Sequence, residues 1–236
     1  MKVIVSDFDG TLFNNNKIIY QDKVNKFVIS GNYFIIATGR NINSLKKVLD
    51  NFVINPSFYI CNDGALILDQ FFNVIYRMDI DSSMIRPLYN ELKNDDNILE
   101  VLIDTGNGYV EDINRSANKL IARYYDREKA IKLVNKINSR YPSVFGYVSN
   151  NWINISKRTE TKGKAIKFLS EYYNFSKYPI YVIGNDVNDV SMCSYDFDSY
   201  GVDCKENELY IDQYQKKVKS FEEAFDDIIN TDEDDL

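Results

Sequence analysis

The residues that could do chemistry fall in four short clusters. The first is Asp7-Phe8-Asp9-Gly10-Thr11-Leu12. Two carboxylates this close repel one another unless a cation lies between them. Magnesium takes carboxylate and water oxygens and bridges readily to phosphate, and a carboxylate can itself attack phosphorus. A plain Asp-Gly turn after a strand would carry the same letters. The second cluster is Thr38-Gly39-Arg40. A hydroxyl and backbone amides ahead of a helix suit a phosphate oxygen, and they suit an ordinary N-cap equally. The third is Thr161-Lys162-Gly163-Lys164, where Lys162 could neutralise charge on a transferring phosphoryl group or simply be a solvated lysine. The fourth, Gly184-Asn185-Asp186-Val187-Asn188-Asp189, sets two carboxylates and two amides in one polar turn, which could also cap the helix that follows.

Elements must bring these clusters together. Lys2 to Ser6, Tyr33 to Ala37 and Phe58 to Cys61 are short apolar runs that read as strands. Between them, Gln21 to Ser30 carries Val24, Phe27 and Val28 at helical spacing, and Asn41 to Phe52 carries Ile42, Leu45, Val48, Leu49 and Phe52. Strand and helix in alternation imply a parallel sheet with right-handed crossovers. The ligand site of such a sheet lies beyond the carboxyl ends of its strands. Ser6-Asp7, Thr38-Gly39-Arg40 and Asn62-Asp63-Gly64 all follow strand ends, so they should converge.

The rhythm changes from Asp81 to about Ile155. Ser83 to Lys93 and Arg127 to Arg140 read as helices, and Ile98 to Asp104 with Gly108 to Ile113, then Val144 to Val148 with Trp152 to Ile155, read as hairpins. From Thr161 the first rhythm returns, with a helix over Lys164 to Tyr173, a strand over Ile180 to Ile183, a short helix over Val187 to Ser194 and an amphipathic helix over Ser220 to Ile229. The expected fold is therefore α/β, a Rossmann-like parallel-sheet core over 1–80 and 157–236 with an inserted α+β cap over 81–156. The acidic tail from Thr231 is expected to fray.

Composition removes whole classes of chemistry. The 236 residues include no histidine, which excludes Ser-His-Asp triads, histidine zinc sites and phosphohistidine. Acid-base work must fall to carboxylates, Lys, Tyr or Cys. The formal net charge of -7 opposes binding to nucleic acid or anionic lipid. Cys61, Cys193 and Cys204 show no CxxC spacing and read as small apolar residues in a reducing compartment. Lys2 follows Met1 directly and the first apolar run is too short for a signal peptide, so a cytoplasmic location without a membrane span is expected.

Taken together and in this order, the four clusters resemble the haloacid dehalogenase superfamily, whose phosphatases carry DxDGT, a Thr/Ser after the second strand, a distant Lys and an acidic GDxxND segment. The mixed insertion between the second and third clusters resembles the branch with a C2-type cap, the Cof-like phosphatases. Asp63-Gly64-Ala65-Leu66 is similar to that branch's NGA segment, with Asp in place of Asn. The resemblance implies hydrolysis of a small phosphorylated metabolite, a sugar phosphate or similar phosphomonoester, with Mg2+ and an aspartyl-phosphate intermediate. It implies Asp7 as nucleophile and metal ligand. Asp9 would be the acid and then the base, its carbonyl also binding the metal. Thr38 and Lys162 would hold the phosphoryl group, and Asp189 would support the metal shell or Lys162. Gly39, Arg40, Asn62 and Asp63 are candidate substrate contacts, and Tyr109, Glu111 and Trp152 could touch substrate from the cap. Asn185 stands where the resembled motif has its first Asp, so either its amide oxygen or Asp186 would complete the metal set, with weakened magnesium affinity expected. A phosphomutase or other phosphotransferase on the same scaffold, and a non-catalytic binding protein of the same fold, are the alternatives.

Overall fold

In the computed structural model, which describes residues 1–204 and 210–231, β1 (Val3–Asp7) is buried along its whole length. Its alternate side chains feed different cores: Ile4 packs with Phe34, Leu45 and Phe225, while Val3 and Val5 pack with Ile166, Leu169 and Val182. A strand apolar on both faces needs cover on both sides, which is why it reads as a continuous apolar run. The cover comes from α1 (Gln21–Ile29), α2 (Ile42–Leu49) and α6 (Phe221–Asn230) on one face and from α5 (Lys162–Tyr172) on the other.

β1 pairs in parallel with β2 (Tyr33–Ala37) on one side and with β11 (Ile180–Gly184) on the other. The chain order thus reverses across β1. Such a reversal splays the following connections to opposite faces and opens a crevice at the strand's carboxyl end, and Asp7 is the last residue of β1. Among the described residues the sheet has eight strands. It continues through β3 (Phe58–Cys61) to antiparallel β4 (Leu66–Asp69) and β5 (Val74–Arg77). Beyond β11 lie parallel β12 (Asp198–Val202) and β13 (Lys216–Val218).

A second, antiparallel sheet of five strands is inserted between β5 and α5. Its strands are β6 (Ile98–Asp104), β7 (Tyr109–Val110), β8 (Lys119–Tyr124), β9 (Val144–Ser149) and β10 (Trp152–Lys157). Leu120, Ala122, Ile153 and Ile155 face α3 (Ser82–Lys93) and α4 (Arg127–Arg140) in a core of their own. The other face carries Lys119, Ile121, Tyr147, Trp152 and Asn154 toward the carboxyl end of the parallel sheet.

The mixed α/β fold with a parallel-sheet core agrees with the reading of the sequence, and the insertion adds detail to it. The second predicted strand over 108–113 shrinks to the two residues of β7, and β8 completes the pairing between β6 and β10. The expected boundary after 156 falls one residue inside the end of β10. The predicted helix over 187–194 is a 3-10 segment. β4, β5, β8, β12 and β13 have no counterpart among the expected elements. Beyond Thr231, the acidic tail lies outside the described residues.

Candidate active site

Asp7 and Lys162 form the centre. The Lys162 Nζ donates to Asp7 Oδ1 and to Asp189 Oδ1, each at 2.6 Å, and the lysine is fully buried. Lys162 begins α5, whose N-cap Thr161 accepts from the Lys164 amide, so the helix start fixes the lysine in height. Asp189 Oδ2 accepts from the amides of Asn185 and Asp186 at 2.9 and 3.0 Å. That carboxylate therefore shapes the turn after β11 while holding Lys162. Burial, then Asp189, push the Asp7 carboxyl well above the ordinary range, and Lys162 only partly offsets them. Burial alone would pull Lys162 down, yet Asp189 and Asp7 outweigh it and hold the lysine above its ordinary value.

The second oxygen of Asp7 faces a different set. One terminal atom of the Asn185 amide lies 3.1 Å from Asp7 Oδ2, 3.2 Å from the Asp9 carbonyl and 3.0 Å from Thr11 Oγ1, and as the oxygen it accepts from the Thr11 hydroxyl. Gly10, at φ +85°, makes this approach possible, because a Cβ there would stand 2.6 Å from Asn185 Nδ2. With the amide oxygen inward, a carboxylate, a main-chain carbonyl and an amide oxygen converge with no proton between them, a donor set that suits a hard cation such as Mg2+. With the amide nitrogen inward, the same contacts become hydrogen bonds. Among the described residues no group of three His, Cys, Asp or Glu side chains forms a metal site, so the set is poor in charge.

The other candidates are placed as follows. The Asp9 side chain points away from the cation set into a two-pronged pair with Arg40, Nε and Nη2 each donating at 2.7 Å. Asp186 caps the 3-10 segment and accepts from Ser149 of β9, so its carboxylate is turned to the inserted layer. Thr38 is buried, and its Oγ1 accepts from the Arg40 amide at 3.1 Å. Asn62 is buried and does not line the cleft. Asp63 is buried at φ 58° and binds Lys119 and Tyr147 of the inserted layer and Asn188 of the core. Burial pushes its carboxyl up, and Lys119 and Lys162 more than reverse this, leaving it below the ordinary value.

Between the layers lies a cleft of about 570 Å³, floored by Asp7, Asp9 and Asn185 and roofed by Tyr109, Trp152 and Asn154. Tyr109 and Trp152 thus line it, whereas Glu111 is exposed elsewhere. Two further bonds close the layers on each other: Asn41 Nδ2 to Asp104 Oδ2 at 2.9 Å, and the Ile42 amide to the Gly106 carbonyl at 3.0 Å. Lys119, Tyr147, Ser149 and Asp104 were not legible as site residues, and Asn188 was legible only as a member of the polar turn after β11. The four on the inserted layer carry no local sign of it: Lys119, for one, is followed by the unbroken apolar run Leu120, Ile121 and Ala122.

The sequence profile of the haloacid dehalogenase-like hydrolases matches residues 4–117 and 104–202. The chain belongs to that family. It is 28% identical over 228 residues to an uncharacterised protein of Mycoplasma capricolum, covering 81% of this chain and 86% of the relative. It is 24% identical over 243 residues to the 5-amino-6-(5-phospho-D-ribitylamino)uracil phosphatase of Bacillus subtilis, covering 81% of this chain and 84% of that enzyme. A solved HAD/COF-like structure from Plasmodium vivax superimposes with a TM-score of 0.78 at 18% identity, covering 95% of both chains, and so shares the fold. Family membership makes the protein a hydrolase of the phosphatase-like kind. No helix among the described residues is long and apolar enough to cross a membrane.

Proposed function

We propose that the protein is a magnesium-dependent phosphatase acting on a small phosphorylated metabolite, a sugar phosphate or similar phosphomonoester, through an aspartyl-phosphate on Asp7. The observation that carries this is the division of labour on one carboxylate. Oδ1 of Asp7 is held by Lys162, while Oδ2 meets the Asp9 carbonyl and the Asn185 amide. The attacking oxygen thereby sits beside the lysine that offsets the charge of the transferring group, while the other faces the candidate cation set.

Asp7 Oδ1 attacks phosphorus as the ester oxygen departs, giving the acyl phosphate and the alcohol. Lys162 stays beside the transferring group and offsets its charge. Mg2+, held by Asp7 Oδ2, the Asp9 carbonyl and Asn185, would supply further neutralisation of phosphoryl oxygens. Asp9 protonates the leaving oxygen and then takes a proton from water, which opens the acyl phosphate. For this it must exchange Arg40 for the leaving oxygen, so the Asp9–Arg40 pair is the resting arrangement. The inserted layer, residues 81–156, acts as the cap that covers the site and selects the leaving group. Gly39 and Arg40, which line the cleft, and the buried Thr38 are assigned to the phosphoryl side.

The test is a screen of phosphorylated metabolites with magnesium, Asp7→Asn serving as the control. The substrate named for the Bacillus relative belongs in the screen. Phosphate release that persists in Asp7→Asn would count against the reading. Asn185→Asp tests the charge-poor cation set. The added carboxylate should lower the magnesium concentration at half-saturation about tenfold. It should also lower the melting temperature of the metal-free protein, because a second carboxylate would then stand 3.1 Å from Asp7 Oδ2. An unchanged half-saturation would remove Asn185 from the set.

A further inference from the structure

Lys119 enters the cleft from the inserted layer and is only 2% exposed. Its Nζ lies 2.5 Å from Asp63 Oδ2 and 3.3 Å from the Gly39 carbonyl. Asp63 also accepts from the Tyr147 hydroxyl at 2.9 Å and the Asn188 amide at 2.8 Å. If the task were only to hold two layers together, a buried ion pair would be a poor device, since desolvation offsets most of its attraction and apolar residues of equal volume hold as well. An ammonium has three N–H donors. Asp63 and Gly39 take two of those on Lys119, and the residue still lines the cleft.

Gly39 gives the Asp63 carboxylate room against the loop. A Cβ there would stand 3.0 Å from Asp63 Oδ1 and 3.4 Å from Lys119 Nζ. The ammonium lies against the Thr38-Gly39 loop through its bond to the Gly39 carbonyl, on the side of Asp7 where the phosphoryl group is proposed to lie. The geometry points to Lys119 as a phosphate-binding residue delivered by the cap: Asp63 aims its ammonium, and the remaining N–H receives a phosphoryl oxygen. Closure of the inserted layer then completes the anion site, so affinity for phosphate and coverage of the cleft rise together. This rests on the phosphatase reading above.

The experiment measures binding of inorganic phosphate in the presence of magnesium by calorimetry, for the wild type, Lys119→Met and the double variant Asp63→Asn/Lys119→Met. Lys119→Met should raise the Kd about tenfold or more, the worth of one charge-assisted hydrogen bond, and lower the melting temperature by leaving Asp63 buried without its cation. The double variant should regain melting temperature and still bind phosphate as weakly as Lys119→Met. If far-UV circular dichroism shows the double variant unfolded, Lys119→Gln replaces it, keeping a donor for Asp63 without the charge, with the same loss expected. Wild-type affinity in Lys119→Met, recovery of affinity in the neutral variants, or a wild type that binds no phosphate would each overturn the assignment. Because the readout is binding, a wild type that binds phosphate yet hydrolyses no ester would sink the phosphatase reading and leave this one standing.

Discussion

Asp7→Asn is expected to end phosphate release, by more than about 10⁴-fold in kcat, and to make the metal-free protein more stable. The first effect follows from removing the attacking oxygen's charge while Lys162 and Asp189 stay in place. The second follows from the cost of burying that charge. Burial and Asp189 hold the Asp7 carboxyl above its ordinary value of 3.8. A carboxyl whose folded pKa exceeds its unfolded one supports the fold fully only while protonated, and its contribution drains away as pH rises from the unfolded value through the folded one. The asparagine variant has no such loss. Its advantage in melting temperature should therefore be small near pH 4 and larger near about pH 8. Magnesium should raise the melting temperature of the wild type more than that of the variant, since a ligand stabilises the state that binds it. A variant less stable than the wild type at high pH without metal would show that the Lys162 bond outweighs burial.

The same tension explains what the sequence could disclose. The parallel core was legible because β1, β2, β3 and β11 are buried on both faces and so appear as unbroken apolar runs. Their polar ends marked the crevice for the same reason, since polarity after such a run has to serve a turn or a site. β12 and β13 escaped because DSYGV and KKV hold too few apolar residues to stand out. β8 escaped because its apolar run is only Leu120, Ile121 and Ala122, flanked by Lys119, which reaches the cleft, and by Arg123. Local rules fail where a residue serves a site instead of the packing.

Distance along the chain set the limit for the site. Asp7, Thr38, Lys162, Asn185 and Asp189 each lie beside a strand end or helix start, so position in the element suggested the role. Nothing local links Asp63 to Lys119, which are 56 residues apart and on different layers. Nor does the pattern reveal that the Asp9 carboxylate would turn to Arg40 while its carbonyl turns to Asn185. A main-chain oxygen leaves no trace in the residue types, and which of Asn185 and Asp186 faces Asp7 depends on the capping of the turn by Asp186.

Lys162→Met should be the most damaging single change to the fold. The lysine is the cation between Asp7 and Asp189, and its side chain and that of Asp189 are wholly buried. Removing one partner of such a pair costs about 3–5 kcal/mol, and here two carboxylates are left facing each other. Turnover should fall by a further factor on the order of 10² to 10³, because the transferring group loses its fixed positive neighbour. The stability loss should depend on pH with a definite sign. Without the ammonium, the Asp7 carboxyl rises further above 3.8, so the variant is least stable at high pH and recovers on acidification as a proton takes the lysine's place. Coupling gives the sharper test. In an Asp7→Asn background only Asp189 is left without its cation, so Lys162→Met should cost clearly less there than in the wild type, by about 1 kcal/mol or more in urea denaturation at neutral pH. Equal costs in the two backgrounds would mean that Asp7 and Lys162 do not share their charge, and the division of the nucleophile's two oxygens would lose its basis.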